Sequence, residues 1–321
     1  VGHSISALLE GFKQHREDSQ IEGVIFNHAN KSRYSDLKKM AEEAGIQMYG
    51  TFPHDEKWAL PSRHLGLFTA GEIKDLQKTM QLLGQQAEET IDIDGLLEIA
   101  KTASVLENEQ PPLPREKTLT LAVAKDEAFC FLYAENLEWL QTLGCELVYF
   151  SPLKDKELPK NCDGLYLCGG YPELYKKELS DNKTMRERIK RKIEFGLPTI
   201  AECGGFLYLH QTLDGEPMCN VIPKAAYKTK HLQRFGYITI TAKHENLLCK
   251  AGDAIRSHEF HYCESEDPGN SFMAQKAGRD INYACIHATD TLYAGFPHLY
   301  FPANIEFAKQ FIRKMEKYES K

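Results

Sequence analysis

Hydrophobic residues recur along this chain with two spacings, and the alternation between them predicts parallel strands covered by helices. Ile5, Leu8, Leu9 and Phe12 fall on one face of an opening helix. The run 21–26 (IEGVIF) reads as a strand closing on Asn27, followed by a helix over about 35–44 and a second strand over 46–52. Strand, helix, strand at this spacing is a right-handed crossover unit. Ligands of such sheets gather beyond the carboxyl ends of the strands, so Asn27, Pro53 and the loop holding Arg63 and His64 are candidate binding residues. Two plainer readings stay open. Asn27 suits a helix cap, and Arg63 and His64 suit an ordinary surface loop.

Residues 71–103 carry an amphipathic helical pattern, with Ile73, Leu76, Met80 and Leu83 on one face and a second segment over 93–100. The stretch 107–117 contains Pro111, Pro112 and Pro114, cannot continue a helix, and reads as a linker between domains 1–106 and 118–321. The second domain alternates again. Strands are expected over 119–124, 146–150, 164–168 and 199–201, and helices over 135–143 and 182–195. Beyond residue 236 the period shortens: 237–242 alternates, and short strands around 256–262, 282–286 and 291–295 suggest added β structure. A last helix is expected from Pro302, a suitable first-turn residue, to about 317. The fold class is therefore α/β.

A net charge of −7 argues against a nucleic-acid partner and favours small-molecule chemistry. Nine cysteines, an odd number without paired spacing in so large a chain, read as reduced thiols of a cytoplasmic protein. No apolar run approaches membrane-spanning length, and no signal peptide is recognisable. The chain opens on Val1, inside a helical pattern, so an upstream part of a longer protein is expected.

The chemistry concentrates at 198–209 (PTIAECGGFLYL), a strand, a sharp turn and a helix. At such an elbow Cys203 stands clear of the sheet, the glycines admit a substrate to the backbone, and the helix N-terminus favours thiolate. An inert buried cysteine is the alternative. Backbone N–H groups of Gly204 and Gly170, each just past a strand end, are candidate oxyanion donors, although Gly169-Gly170 also suits a plain tight turn. His298 follows a strand and precedes the final helix, which makes it the candidate base. His258, Glu259 and His261 lack a further ligand in sequence; a pocket or interface role is preferred to a metal, and no metal site is expected in this chain.

With ECGGFLYL at 202–209, LCGGYPE at 167–173 and FPHLYFPANIEFA at 296–308, the second domain resembles class I glutamine amidotransferases of the cobyric-acid-synthase type. GVIFNH at 23–28, RHLGL at 63–67 and SHEFHY at 257–262 narrow the resemblance to the cobyrinate a,c-diamide synthase family. That likeness implies a flavodoxin-like glutaminase domain preceded by the remnant of a P-loop-type α/β synthetase domain. It also implies Cys203 as the nucleophile that takes ammonia from glutamine and His298 as its base. ATP with Mg2+ would activate two acetate carboxylates of a cobyrinate-type tetrapyrrole, Asn27 and Pro53 would remain of the ATP site, and Arg63 and His64 would face the substrate. Two departures stand out. Many relatives of this class have a glutamate two residues after the histidine, where this chain has Tyr300, so a Cys-His dyad is expected, with Glu259 a candidate to orient it. The phosphate loop is absent from the sequence and would lie before Val1, so glutaminase activity without amide product is expected of this chain. Hydrogenobyrinate or nickel-sirohydrochlorin as substrate, a cysteine hydrolase of another kind, a non-catalytic binding module and a homodimer remain open.

Overall fold

The structure is a computed structural model describing residues 4–60, 62–63, 66–67, 73–106, 116 and 118–318. The chain divides into two compact units, Val1–Gln110 and Pro111–Lys321.

In the first unit, strands Gly23–Asn27 and Gln47–Phe52 pair in parallel around the helix Tyr34–Glu43, as the crossover pattern requires. Leu37, Ala41, Ala29 and Met48 form its small core, with Ile5 and Leu9 of the helix Ser4–Gln14 packed against it. Leu8 and Phe12, expected on the same face, are exposed. The long amphipathic pattern resolves into two helices, Leu76–Thr90 and Ile93–Ala100. Asp92 separates them, its carboxylate accepting the N–H of Gly95 at 2.9 Å. Asn27 is no helix cap: its Oδ1 accepts the N–H of His28, and a short 3-10 turn, Lys31–Arg33, leads into the helix instead.

The second unit is built on a six-stranded sheet. In spatial order its strands are His287–Ala288, Leu292–Gly295, Thr199–Glu202, Gly164–Leu167, Leu119–Ala124 and Cys145–Phe150, all parallel except the first. Central strands of such a sheet are covered on both faces, which is why Leu121–Ala124, Gly164–Leu167 and Thr199–Glu202 are buried without interruption. Met185, Ile189 and Ile193 of the helix Lys183–Glu194, with Phe307, Phe311 and Ile312 of the helix Glu306–Glu316, join that core.

The added β structure forms a five-stranded antiparallel sheet, ordered Asn282–Cys285, Phe272–Lys276, Arg234–Ala242, Ala254–His261 and His298–Leu299. A four-stranded sheet of Glu216–Pro217, His210–Leu213, Ile222–Lys228 and Cys263–Ser265 accompanies it. The last helix begins at Glu306 rather than Pro302. Pro302 sits in a 3-10 turn, and Asn304 breaks the helical path with φ −160°, its side-chain amide donating to Ala254 O at 2.9 Å.

Candidate active site

Strand Thr199–Glu202 delivers Cys203 to the carboxyl edge of the sheet between two parallel neighbours. At Cys203 the chain turns with φ 45° and ψ −98°, a conformation that costs an L-residue roughly 1–3 kcal/mol and must be over-determined by its surroundings. The restraints are present. Cys203 N donates to Gly295 O at 2.8 Å, Leu207 N donates to Cys203 O at 2.9 Å, and Gly205 N donates to Cys168 O at 2.9 Å. The short helix Gly204–Leu209 is buried throughout.

Gly204 packs so closely on the neighbouring strand Gly169–Gly170 that a Cβ placed there would lie 2.9 Å from Gly170 N. His298 reaches the same strand from the antiparallel sheet, where it pairs opposite His258. A Cβ on Gly169 would lie 2.4 Å from His298 Cε1. The short strand Gly169–Gly170, paired antiparallel with Phe129–Phe131 rather than forming the tight turn that the sequence also allows, thus receives the cysteine elbow on one side and the imidazole on the other. Phe131 lies edge-on to His298 with ring centroids 4.6 Å apart, Tyr133 lies edge-on to Phe131, and Tyr300 lies edge-on to Tyr133. Tyr133, Tyr237, Arg256, His258 and Tyr300 line a cavity of about 820 Å³ beside this group.

Electrostatics differ from the sequence expectation in one respect. Burial pushes the Cys203 thiol above its ordinary range, and Glu173 adds to the effect. The N–H of Gly204 pulls the other way without reversing it. A single helix N-terminus does not outweigh removal of the sulfur from water, so the resting group is a thiol. Burial, with His258 and His261 nearby, holds the His298 imidazole down to about 3, so it too is neutral.

Glu202, which sequence reasoning passed over, is the buried acid of the site. Its Oε1 accepts the N–H of Leu299 at 2.9 Å, and its Oε2 accepts the hydroxyl of Tyr166 at 2.9 Å and lies 3.9 Å from His298 Nδ1. Burial raises its carboxyl to about 8 against the pull of those two donors. The available signal was an acid closing a strand that is otherwise apolar. Glu259 is committed elsewhere: the Tyr283 hydroxyl donates to its carboxylate, and Arg234 stacks on the Tyr283 ring. His261 lies flat on Phe296, centroids 3.8 Å apart, and donates from Nδ1 to Cys263 O, while His258 packs against Tyr237 and Phe235. Among the described residues no group of three or more His, Cys, Asp or Glu is arranged to hold a metal ion.

In the first unit, Asn27 and Pro53 come together at the carboxyl ends of the paired strands, since Asn27 is in register with Phe52. Arg63 belongs to the short pairing of Ser62–Arg63 with Gly66–Leu67. His64 and most of the 107–117 linker lie outside the described residues.

A mostly parallel sheet with an elbow cysteine at its carboxyl edge is the architecture of class I glutamine amidotransferases. The chain belongs to the CobB/CobQ-like glutamine amidotransferase family, whose domain matches residues 120–304. It is 37% identical over 317 residues to the cobyrinate a,c-diamide synthase of Clostridium acetobutylicum, covering 97% of this chain and 72% of that protein. The enzyme of the same name from Caldanaerobacter subterraneus is 36% identical over 328 residues, covering 99% and 72%. That from Methanothermobacter thermautotrophicus is 35% identical over 318 residues, covering 97% and 71%. Among solved structures, PurLQS from Thermotoga maritima is similar at 14% identity with a TM-score of 0.45, over 62% of this chain and 98% of that one. Family and relatives make the chain a glutamine-dependent ligase. Among the described residues no helix is long and apolar enough to cross a membrane.

Proposed function

We propose that this chain takes ammonia from glutamine with Cys203 and His298, and that the ammonia serves an ATP-dependent amidation of the a and c acetate carboxylates of cobyrinate. The observation that carries the glutaminase reading is the convergence of the Cys203 elbow and the His298 imidazole on the short strand Gly169–Gly170. Neutral cysteine and neutral imidazole suit general-base attack. The thiol proton passes to His298 as Sγ bonds to the glutamine amide carbon. The oxyanion that forms is stabilised by the N–H groups of Gly204 and Gly170, for which the close approach of those two backbones speaks. The proton then goes to the departing nitrogen, the carbon–nitrogen bond breaks, and water hydrolyses the thioester to glutamate, restoring the thiol.

ATP, bound with Mg2+, supplies the phosphoryl group that makes a carboxylate open to ammonia. Asn27 and Pro53 stand where parallel-strand ends receive a ligand, and Arg63 is the basic residue of the loop that follows. The reading takes residues 1–106 as part of the synthetase domain and 118–321 as the glutaminase.

The test is glutamate release from glutamine by the wild-type chain and by Cys203→Ala. Release that persists in the variant overturns the reading. For the acceptor, a protein spanning the full length of the relatives is given ATP, Mg2+ and glutamine with cobyrinate, hydrogenobyrinate or nickel-sirohydrochlorin, and product mass identifies the substrate.

A further inference from the structure

His298 Nδ1 is buried and has no hydrogen-bond partner among the described residues, and a carboxylate oxygen of Glu202 lies 3.9 Å away. A bare polar atom in a dry site costs free energy unless some state of the protein pairs it. Glu202 is 1% exposed and held in place from two sides, by the Leu299 N–H and the Tyr166 hydroxyl. Because Leu299 follows His298 directly, one carboxylate both anchors the strand that presents the imidazole and faces its inner nitrogen. Tyr300, two residues past the histidine, has its ring edge-on to Tyr133 and brings no carboxylate to the site. Catalytic hydrogen bonds that are long in an unliganded site commonly tighten when substrate binds.

Resting on the Cys203 and His298 reading, we infer that Glu202 is the positioning residue of this glutaminase: its carboxylate holds the Nδ1–H tautomer of His298 and balances the imidazolium formed when Nε2 takes the thiol proton. The tautomer matters because only a bare Nε2 accepts that proton. The charge matters because an imidazolium formed out of water, with His258 and His261 close by, is costly without a facing anion, and Glu202 Oε2 lies 3.9 Å from Nδ1. The proton balance is complete within the pair. Cys203 loses one proton to Nε2, the departing nitrogen receives it, and the Nδ1 proton stays on the ring, facing Glu202, throughout.

The titratable groups around Glu202 are Tyr166 and Cys168, Tyr293, Tyr133, Cys203 and His298. Of these, the Tyr166 hydroxyl bonds the carboxylate and favours its charged form. Activity that needs the carboxylate rises with pH as Glu202 ionises. Removing the Tyr166 hydroxyl moves that rise to higher pH.

The experiment measures kcat and kcat/KM for glutamine hydrolysis between pH 6 and 9.5 for the full chain, Glu202→Gln and Tyr166→Phe, with Cys203→Ala and His298→Ala alongside. Glu202→Gln keeps an oxygen for Leu299 N–H, loses the charge and puts an NH2 donor where Oε2 accepts from Tyr166 and faces Nδ1. It is expected to lower kcat at least about tenfold with KM for glutamine little changed, and to remove the rise with pH. The loss should fall short of the ~10⁴-fold seen when an orienting amide replaces a hydrogen-bonded triad carboxylate, since this contact is looser. Tyr166→Phe is expected to shift the rise to higher pH. A Glu202→Gln enzyme within twofold of wild type and with the same pH profile overturns the inference, as does a Tyr166→Phe profile that does not move. Should Glu202→Gln fail to fold by circular dichroism, Tyr166→Phe decides. If Cys203→Ala or His298→Ala retains activity, the reading of the site itself fails. If both lose it and the Glu202 and Tyr166 variants behave as wild type, only the role of Glu202 falls.

Discussion

Glu202 and Leu299 stand 97 residues apart in sequence and share a hydrogen bond, Leu299 N donating to Glu202 Oε1 at 2.9 Å. The residue before the candidate nucleophile thereby grips the residue after the candidate base. Two sheets meet at this bond: the parallel sheet contributes Glu202 and the antiparallel sheet Leu299. The geometry of the site depends on how firmly that junction is held.

Asn136 holds it from the other side. This fully buried side chain donates to Leu299 O and accepts from Phe301 N, both at 2.8 Å. Asn136→Ala would leave two buried backbone groups unpaired, at roughly 1–3 kcal/mol each. The expected outcome in urea unfolding is a loss of about 2–5 kcal/mol, with glutaminase kcat reduced further than KM rises. A variant as stable as wild type would show that water or a neighbour replaces the amide.

Two glycines should separate stability from chemistry. A Cβ on Gly205 would stand 2.1 Å from Leu167 O, which is backbone and cannot yield, whereas a Cβ on Gly169 would meet the His298 ring. Gly205→Ala is therefore expected to unfold the domain or lower its stability by about 3 kcal/mol or more. Gly169→Ala should fold, displace the imidazole and cost about 100-fold in glutaminase kcat, the scale of a 1 Å misplacement. Melting temperature and kcat measured on both variants check the contrast; equal effects on the two readouts would refute it.

Much of this was legible in the sequence where the signal is local. The Thr199–Glu202 strand and the glycine pairs Gly204-Gly205 and Gly169-Gly170 each announce themselves within a few residues, and so does the crossover unit ending at Phe52, although the second pair forms a short strand and not a turn. What escaped was non-local. Nothing beside Glu202 in the chain shows that Tyr166 and Leu299 will meet it, so attention went to Glu259, which Tyr283 occupies. Strands Ile222–Lys228 and Phe272–Lys276 were passed over because large apolar residues at exposed positions, Tyr227 and Met273, blur the alternation. The thiolate expectation failed for a related reason. A helix N-terminus is visible in sequence, but the burial that overrides it is created by residues far along the chain.

A resting thiol at Cys203 has a kinetic signature. Alkylation by iodoacetamide, followed as loss of glutaminase activity, should quicken about tenfold per pH unit from pH 7 to pH 9 without levelling, because only the small thiolate fraction reacts. Glutamine should protect. A plateau already reached near pH 7 would mean that the sulfur is ionised in the free protein and that its surroundings are more polar than its burial implies.

Acid sensitivity is expected from three buried imidazoles. Burial holds His210 and His261 down to about 4 and His298 down to about 3. A histidine that stays neutral in the fold but protonates in the unfolded chain leaves stability intact above about pH 6.5 and removes it as pH falls toward the folded value. Glu202, raised to about 8, and Glu259, also raised by burial, act with the opposite sign: their burial costs stability progressively as pH rises above about 4.5. Three histidines outweigh those two carboxyls between pH 6.5 and 4.5, so the melting temperature should drop there. His210 isolates one share without touching the site, since its ring is tied to Phe206 O at 2.9 Å and to the Ser265 hydroxyl at 2.7 Å. His210→Gln is expected to be less stable than wild type at pH 7 yet to lose about 2–3 kcal/mol less between pH 7 and pH 4.5. Parallel stability–pH curves for the two proteins would show that His210 protonates within the fold at no cost.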